Sequence, residues 1–87
     1  MQMQIHKPTP QEIEKTKNWG TWSKEPSVFE WEYDTKETCL ILEGNAEVTD
    51  KEGNKIQFGP GDWVVFEKGL KCTWKIKKAI KKKYNFG

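Results

Sequence analysis

The stretch Val28-Phe29-Glu30-Trp31-Glu32-Tyr33-Asp34-Thr35-Lys36-Glu37-Thr38-Cys39-Leu40-Ile41-Leu42-Glu43-Gly44 decides the fold. Phe29, Trp31 and Tyr33 alternate with Glu30, Glu32 and Asp34, the period of two that marks a half-buried strand. Thr38–Leu42 is an apolar run stopped by Glu43-Gly44, which predicts a second strand. Downstream, Ala46–Thr49 and Lys55–Phe58 flank Asp50-Lys51-Glu52-Gly53-Asn54, a hairpin whose glycine can supply a positive φ. Gly59-Pro60-Gly61-Asp62 and Gly69-Leu70 read as turns. They bracket strands expected at Trp63–Phe66, Lys71–Ile76 and Ile80–Phe86. Regularly spaced short strands with glycine turns predict an all-β chain, a small barrel or sandwich.

Upstream the pattern changes. Thr9-Pro10-Gln11-Glu12 is a helix start, with Thr9 as cap, Pro10 in the first turn and Glu12 closing a capping box. The helix is expected over 10–17, with Ile13 as its firm apolar contact. Asn18-Trp19-Gly20-Thr21-Trp22-Ser23 reads as a loop carrying two tryptophans.

Eighty-seven residues allow one domain. Only 34% are hydrophobic, yet five are Trp, four Phe and two Tyr. Each aromatic side chain buries roughly 150–250 Å², so a few of them build a core that aliphatic counting misses. Disordered chains are poor in aromatics, and disorder is rejected for most of this one. No apolar run reaches the ~20 residues needed to span a bilayer. The first residues, Met-Gln-Met-Gln-Ile-His-Lys-Pro, do not resemble a signal peptide, so the expected location is cytoplasmic.

Charge is uneven along the chain. Residues 1–43 hold five Lys and eight Asp or Glu, whereas residues 44–87 hold ten Lys and five Asp or Glu. The surplus lies in Lys75, Lys77, Lys78, Lys81, Lys82 and Lys83, and the chain has no Arg. Nucleic-acid binding would want Arg or stacking aromatics beside them. The expectation is that these lysines cover the outer face and edges of terminal strands, with neither nucleic acid nor membrane as partner. Cys39 and Cys72 are 33 residues apart and form no Cys-x-x-Cys motif. They read as two small buried hydrophobes, with a ligand or nucleophile role left open.

Two segments together resemble a cupin. Glu37-Thr38-Cys39-Leu40-Ile41-Leu42-Glu43-Gly44 matches the Glu-to-Gly half of the first cupin motif. Gly61-Asp62-Trp63-Val64-Val65-Phe66-Glu67-Lys68-Gly69-Leu70-Lys71-Cys72 follows the glycine spacing of the second. Only residues 45–60 separate them, as in a minimal single-domain cupin. Trp22–Trp31, Tyr33-Asp34 and Glu37-Thr38-Cys39 resemble more narrowly the DUF861, or Cupin_3-like, subfamily related to ureidoglycine aminohydrolase. The resemblance covers about residues 19–86. It implies a small single-domain cupin β-barrel over 19–87, preceded by an N-terminal segment, 1–18, with a short helix. It also implies a homodimer.

Metal-binding cupins hold an ion with two His, a Glu and a later His. By the same resemblance, Trp31 and Tyr33 stand at the first two His positions, Glu37 is kept, and Cys72 stands at the last. A four-coordinate site needs about three protein ligands of the right type, of which Glu37 and Cys72 give two and Cys39 could add a third. The expectation is therefore no metal cofactor. The alternative is Zn or another divalent metal held through thiolates. The resemblance turns Trp22, Trp31, Tyr33, Cys39 and Trp74 toward a barrel pocket for a small-molecule ligand, with Glu37 and Cys72 as its candidate catalytic groups. A carboxylate among indole rings would be desolvated and able to act as an acid or base. A structural role for Glu37, hydrogen-bonded to Tyr33 or backbone, is the alternative. Three functions remain open: a metabolite-binding cupin, an enzyme acting on a small nitrogenous metabolite as the aminohydrolase does, and a non-catalytic interaction module whose edge strands pair into a dimer.

Overall fold

The computed structural model describes residues 2–87. Seven strands and one short helix follow in chain order: β1 (Met3–His6), α1 (Pro10–Lys15), β2 (Gly20–Lys24), β3 (Ser27–Glu32), β4 (Glu37–Asp50), β5 (Lys55–Phe58), β6 (Trp63–Phe66) and β7 (Lys71–Phe86). All pairings are antiparallel. β4 and β7 run side by side from Glu37↔Phe86 to Asp50↔Cys72, with irregularities between Ile41 and Ala46. Their bend divides the sheet into two walls. One wall is β1-β6-β4-β7-β2, built on the first half of β4 and the last half of β7. The other is β5-β4-β7-β3, built on the remaining halves. Two walls sharing two bent strands enclose one core, and the chain is a small all-β barrel.

Strand parity fills the barrel. Cys39, Ile41, Ala46 and Val48 from β4 meet Val64 and Phe66 from β6, and Cys72, Trp74, Ile76 and Ile80 from β7, in one buried cluster. Phe66 stacks on Tyr33 at 4.9 Å, and Trp74 packs against Phe58 at 5.4 Å and Phe66 at 5.5 Å. On the far side of the first wall Leu40, Trp63 and Val65 form a second cluster under Trp19. This explains why Trp63-Val64-Val65-Phe66 is apolar without alternation: both of its faces are covered.

The structure corrects several sequence expectations. The segments expected as separate strands at 38–42 and 46–49, and at 71–76 and 80–86, are continuous within β4 and β7. Glu43-Gly44 bends β4 rather than ending it. The expected loop around Trp22 is strand β2, paired with β7 from Gly20↔Tyr84 to Lys24↔Ile80. Its burial pattern has one inward side chain, Trp22, too few to show a period. The N-terminal segment contributes β1, whose Met3 enters the core while β1 pairs with β6. The capping box forms: Glu12 N–H donates to Thr9 Oγ1 at 3.2 Å and Thr9 N–H donates to Glu12 Oε1 at 2.9 Å. The helix stops at Lys15, however, and Thr16–Asn18 tightens into a 3₁₀ turn. Ile13, expected as the anchor, is 48% exposed; Thr16 is buried in its place.

Gly44 makes the bend possible. Its φ is +83°, and a Cβ there would collide with the backbone carbonyl of Ala79 on β7. Gly53, in the hairpin, has a φ of +87° but open space around it. Gly44→Ala is therefore expected to cost about 3 kcal/mol or more and Gly53→Ala about 1 kcal/mol, since only the first adds a backbone collision to backbone strain. Urea unfolding of both variants checks the difference.

Candidate functional site

A cavity of about 600 Å³ opens between β2, β3 and the inner faces of β4 and β7. Trp22, Phe29, Trp31, Tyr33, Trp74, Tyr84 and Phe86 supply its aromatic wall. Trp74 is the wall's fixed center: Phe29 stacks on it at 6.0 Å with planes 10° apart, and Trp22 meets it edge-on at 6.3 Å. Trp31 lies edge-on to Tyr33 at 6.4 Å and is 52% exposed, so it stands at the rim.

One buried ion pair sits in this aromatic wall. Lys82 Nζ donates to Glu37 Oε2 at 2.9 Å, and both side chains are almost completely buried. The ammonium also lies 4.9 Å from the Trp22 ring center and 4.8 Å from that of Trp74. Lys82 is thus held by one carboxylate and two π faces, an arrangement that offsets much of the cost of burying charge. The lysine run was expected on outer faces and edges, and for Lys82 the structure overturns that. Inward parity on β7 runs from Cys72 through Trp74, Ile76 and Ile80 to Lys82. Carrying that alternation past Ile80 would have found it. The same step reaches Tyr84.

Of the residues singled out from sequence, Trp22, Trp31, Tyr33, Glu37 and Trp74 share the cavity wall. Cys39 and Cys72 do not line it. The Cys39 thiol donates to the Val64 carbonyl at 3.6 Å, and the Cys72 thiol to the Trp31 carbonyl at 3.6 Å. Burial pushes the Cys39 thiol up to about 12 and the Cys72 thiol up to about 11. A thiol that holds its proton this firmly is a poor nucleophile, and both are buried off the cavity wall. Tyr33 titrates well above its ordinary value, first because of burial and then because of the Glu37 charge. Its phenol stays neutral and can donate a hydrogen bond. Sequence reasoning missed Lys24, Phe29, Glu30, Lys82, Tyr84 and Phe86 on the wall.

These side chains do not fit a divalent metal. Trp31 and Tyr33, which the sequence resemblance sets at the His positions, offer an indole and a phenol; the Glu37 carboxylate is engaged by Lys82, and an ammonium beside it repels a second cation. Among the described residues, no cluster of three or more His, Cys, Asp or Glu side chains is placed to hold an ion. The only histidine, His6, stacks against Trp63 at 6.2 Å and meets Glu12 at 3.2 Å, outside the cavity wall.

A bent two-walled barrel with a cavity between its walls defines the class as a cupin. The chain belongs to the Cupin_3 family, the EutQ-like cupin domain, which matches residues 12–84. It superposes on a DUF861 family protein of Thermotoga maritima with a TM-score of 0.94 and 46% identity, covering 98% of this chain and 99% of that one. The EutQ protein of Clostridium difficile matches with a TM-score of 0.71 and 18% identity over 77% of this chain and 52% of its own. This chain thus spans about half of that protein. A putative ethanolamine utilization protein Q of Salmonella typhimurium LT2 matches with a TM-score of 0.70 and 17% identity, over 97% of this chain and 68% of that one. The last two likenesses speak for the fold alone. No curated protein matches the chain. No helix among the described residues is long and apolar enough to cross a membrane.

Two outcomes follow from this geometry. Lys82→Met alone leaves a buried, unpaired Glu37 and is expected to cost about 3–5 kcal/mol, whereas Lys82→Met with Glu37→Leu recovers most of that loss. Urea unfolding of the single and double variants reads the coupling. Alkaline pH acts through the thiols and Tyr33. Their folded values lie above the unfolded ones, so the stability they contribute is complete below about pH 8.5, where an unfolded thiol still holds its proton. It falls as the pH rises toward about 11 and 12. The urea midpoint is expected to drop steadily from pH 8.5 to 10.5, and less in a Cys39→Ala, Cys72→Ala variant.

Proposed function

We propose that this protein binds a small, flat, largely apolar metabolite in the mouth of its barrel, without using the His-based metal chemistry of other cupins. The observation that carries this is the cavity itself: about 600 Å³ walled by aromatic side chains, with one internally satisfied ion pair among them. Its size lies within the ~300–1,000 Å³ common for small-molecule sites, and a mostly apolar lining with few polar groups is their usual composition. Trp22 and Trp31 line the wall from separate strands, β2 and β3. Tyr33, Glu37 and Lys82 are the polar groups that can fix its orientation.

The alternative, an enzyme acting on a small nitrogenous metabolite in the manner of ureidoglycine aminohydrolase, needs a reactive group. The thiols lie off the cavity wall, and Glu37 with Tyr33 is what the wall offers for proton transfer. Binding is favored because the Glu37 carboxylate is already engaged by Lys82. A homodimer and a cytoplasmic location are compatible with this proposal and independent of it.

Intrinsic tryptophan fluorescence, titrated with fractionated metabolite pools, tests the proposal. Saturable quenching is expected, and Trp22→Ala should weaken it about tenfold or more while the barrel stays folded, because Trp22 is only half-buried. No saturable change from any fraction would overturn it.

A further inference from the structure

The charge on the cavity wall limits what the pocket can accept. An aromatic box ordinarily attracts cations, because ring faces are electron-rich. Here the faces of Trp22 and Trp74 are already taken by the protein's own ammonium, Lys82. A second cation entering the pocket would meet that charge at short range in a poorly screened site. Glu37 does not change this, since its carboxylate is committed to Lys82.

Two lysines and two glutamates line the wall, and both glutamates are paired, so among the described residues Lys24 is the wall's one charge without an ion-pair partner. Lys82 and Glu37 cancel each other. Glu30 is drawn outward by Lys51 at 3.0 Å. Lys24 lies 5.2 Å over the Phe29 ring and takes part in none of the ion pairs among the described residues. Its charge is left facing whatever enters. An ammonium has three N–H donors; those of Lys82 are shared between Glu37 and the Trp22 and Trp74 rings, whereas those of Lys24 have no carboxylate partner among the described residues. The neutral Tyr33 hydroxyl is a further donor. The groups lining the pocket are thus short of acceptors, and an anionic ligand supplies them.

We infer that the pocket selects a flat aromatic monoanion, a ring bearing a carboxylate directly or on a short arm, over neutral and cationic molecules of the same shape. The ring would pack against the Trp22, Phe29 and Trp31 side of the wall, and the carboxylate would accept from Lys24 at the mouth, with the Tyr33 hydroxyl as a second donor deeper in. The selection rests on the proposed binding of a small molecule in this cavity and names its chemical class.

Three probes with one ring system test it: indole-3-acetate, indole-3-acetamide and tryptamine. Each is titrated into ¹⁵N-labelled full-length protein, and the tryptophan indole N–H signals are followed. Indole-3-acetate is expected to bind roughly tenfold or more tightly than the amide, with tryptamine weakest, as a charge-assisted hydrogen bond in place of a neutral one would give. Added salt should weaken the acetate and leave the amide unchanged. Lys24→Gln, at an exposed position where folding is not at risk, should remove most of the acetate's advantage; an advantage left intact would overturn Lys24 as the group that selects the anion. Equal binding of acid and amide, or preference for the amine, would overturn the anion selection and leave pocket binding standing. If none of the three probes moves the Trp22, Trp31 or Trp74 signals, binding of this ligand class in the cavity is overturned, and the selection with it.

Discussion

The constraint on which this structure depends is the close approach of β4 and β7 where both bend. Backbone meets backbone at Gly44 and Ala79 with no room for a side chain. Because the strands remain paired on either side of that point, one ladder serves two walls. A chain of 87 residues can therefore close a barrel with few turns, and the inner faces of the same two strands carry both the core and the cavity. Across this ladder Glu37 lies opposite Phe86 and Lys82 opposite Ile41, and the Lys82 side chain reaches along the inner face to Glu37 at 2.9 Å; both point inward by parity, so an offset of one residue would send either side chain to solvent.

Much of this was legible before any coordinates. Alternation from Phe29 to Tyr33, the inward series Glu37, Cys39 and Ile41, and the glycines at 44, 53, 61 and 69 carry strong local signals because each reflects a steric rule. What escaped was nonlocal. β2 has a single inward side chain, and β1 pairs with β6 across most of the chain length. Neither writes a period. The site was legible in the same proportion. Trp22, Trp31, Tyr33, Glu37 and Trp74 were recognized, whereas Lys82 was hidden in a lysine-rich run whose other members do face outward. Composition argued for solvent there and parity argued for the core. Burial followed parity because Glu37 and two indoles receive the charge.

By the sequence resemblance, Trp31 and Tyr33 stand where metal-binding cupins have His, and on that alignment the change is more than a loss of ligands. The pocket contains a cation of its own, with Glu37 facing Lys82. That ammonium is tethered and directional, and it gives Glu37 a hydrogen-bond donor.

The five tryptophans fall into two groups separated by a layer of sheet. Trp22, Trp31 and Trp74 belong to the cavity, while Trp19 and Trp63 lie on the opposite side, 5.4 Å apart with planes inclined at 47°. Two indoles so close and so inclined couple their electronic transitions, which gives a paired positive and negative band in circular dichroism. Trp19 is carried by the segment that follows the helix and Trp63 by β6. Docking of the N-terminal segment onto the barrel therefore has an optical signature of its own, separate from the fluorescence of the pocket.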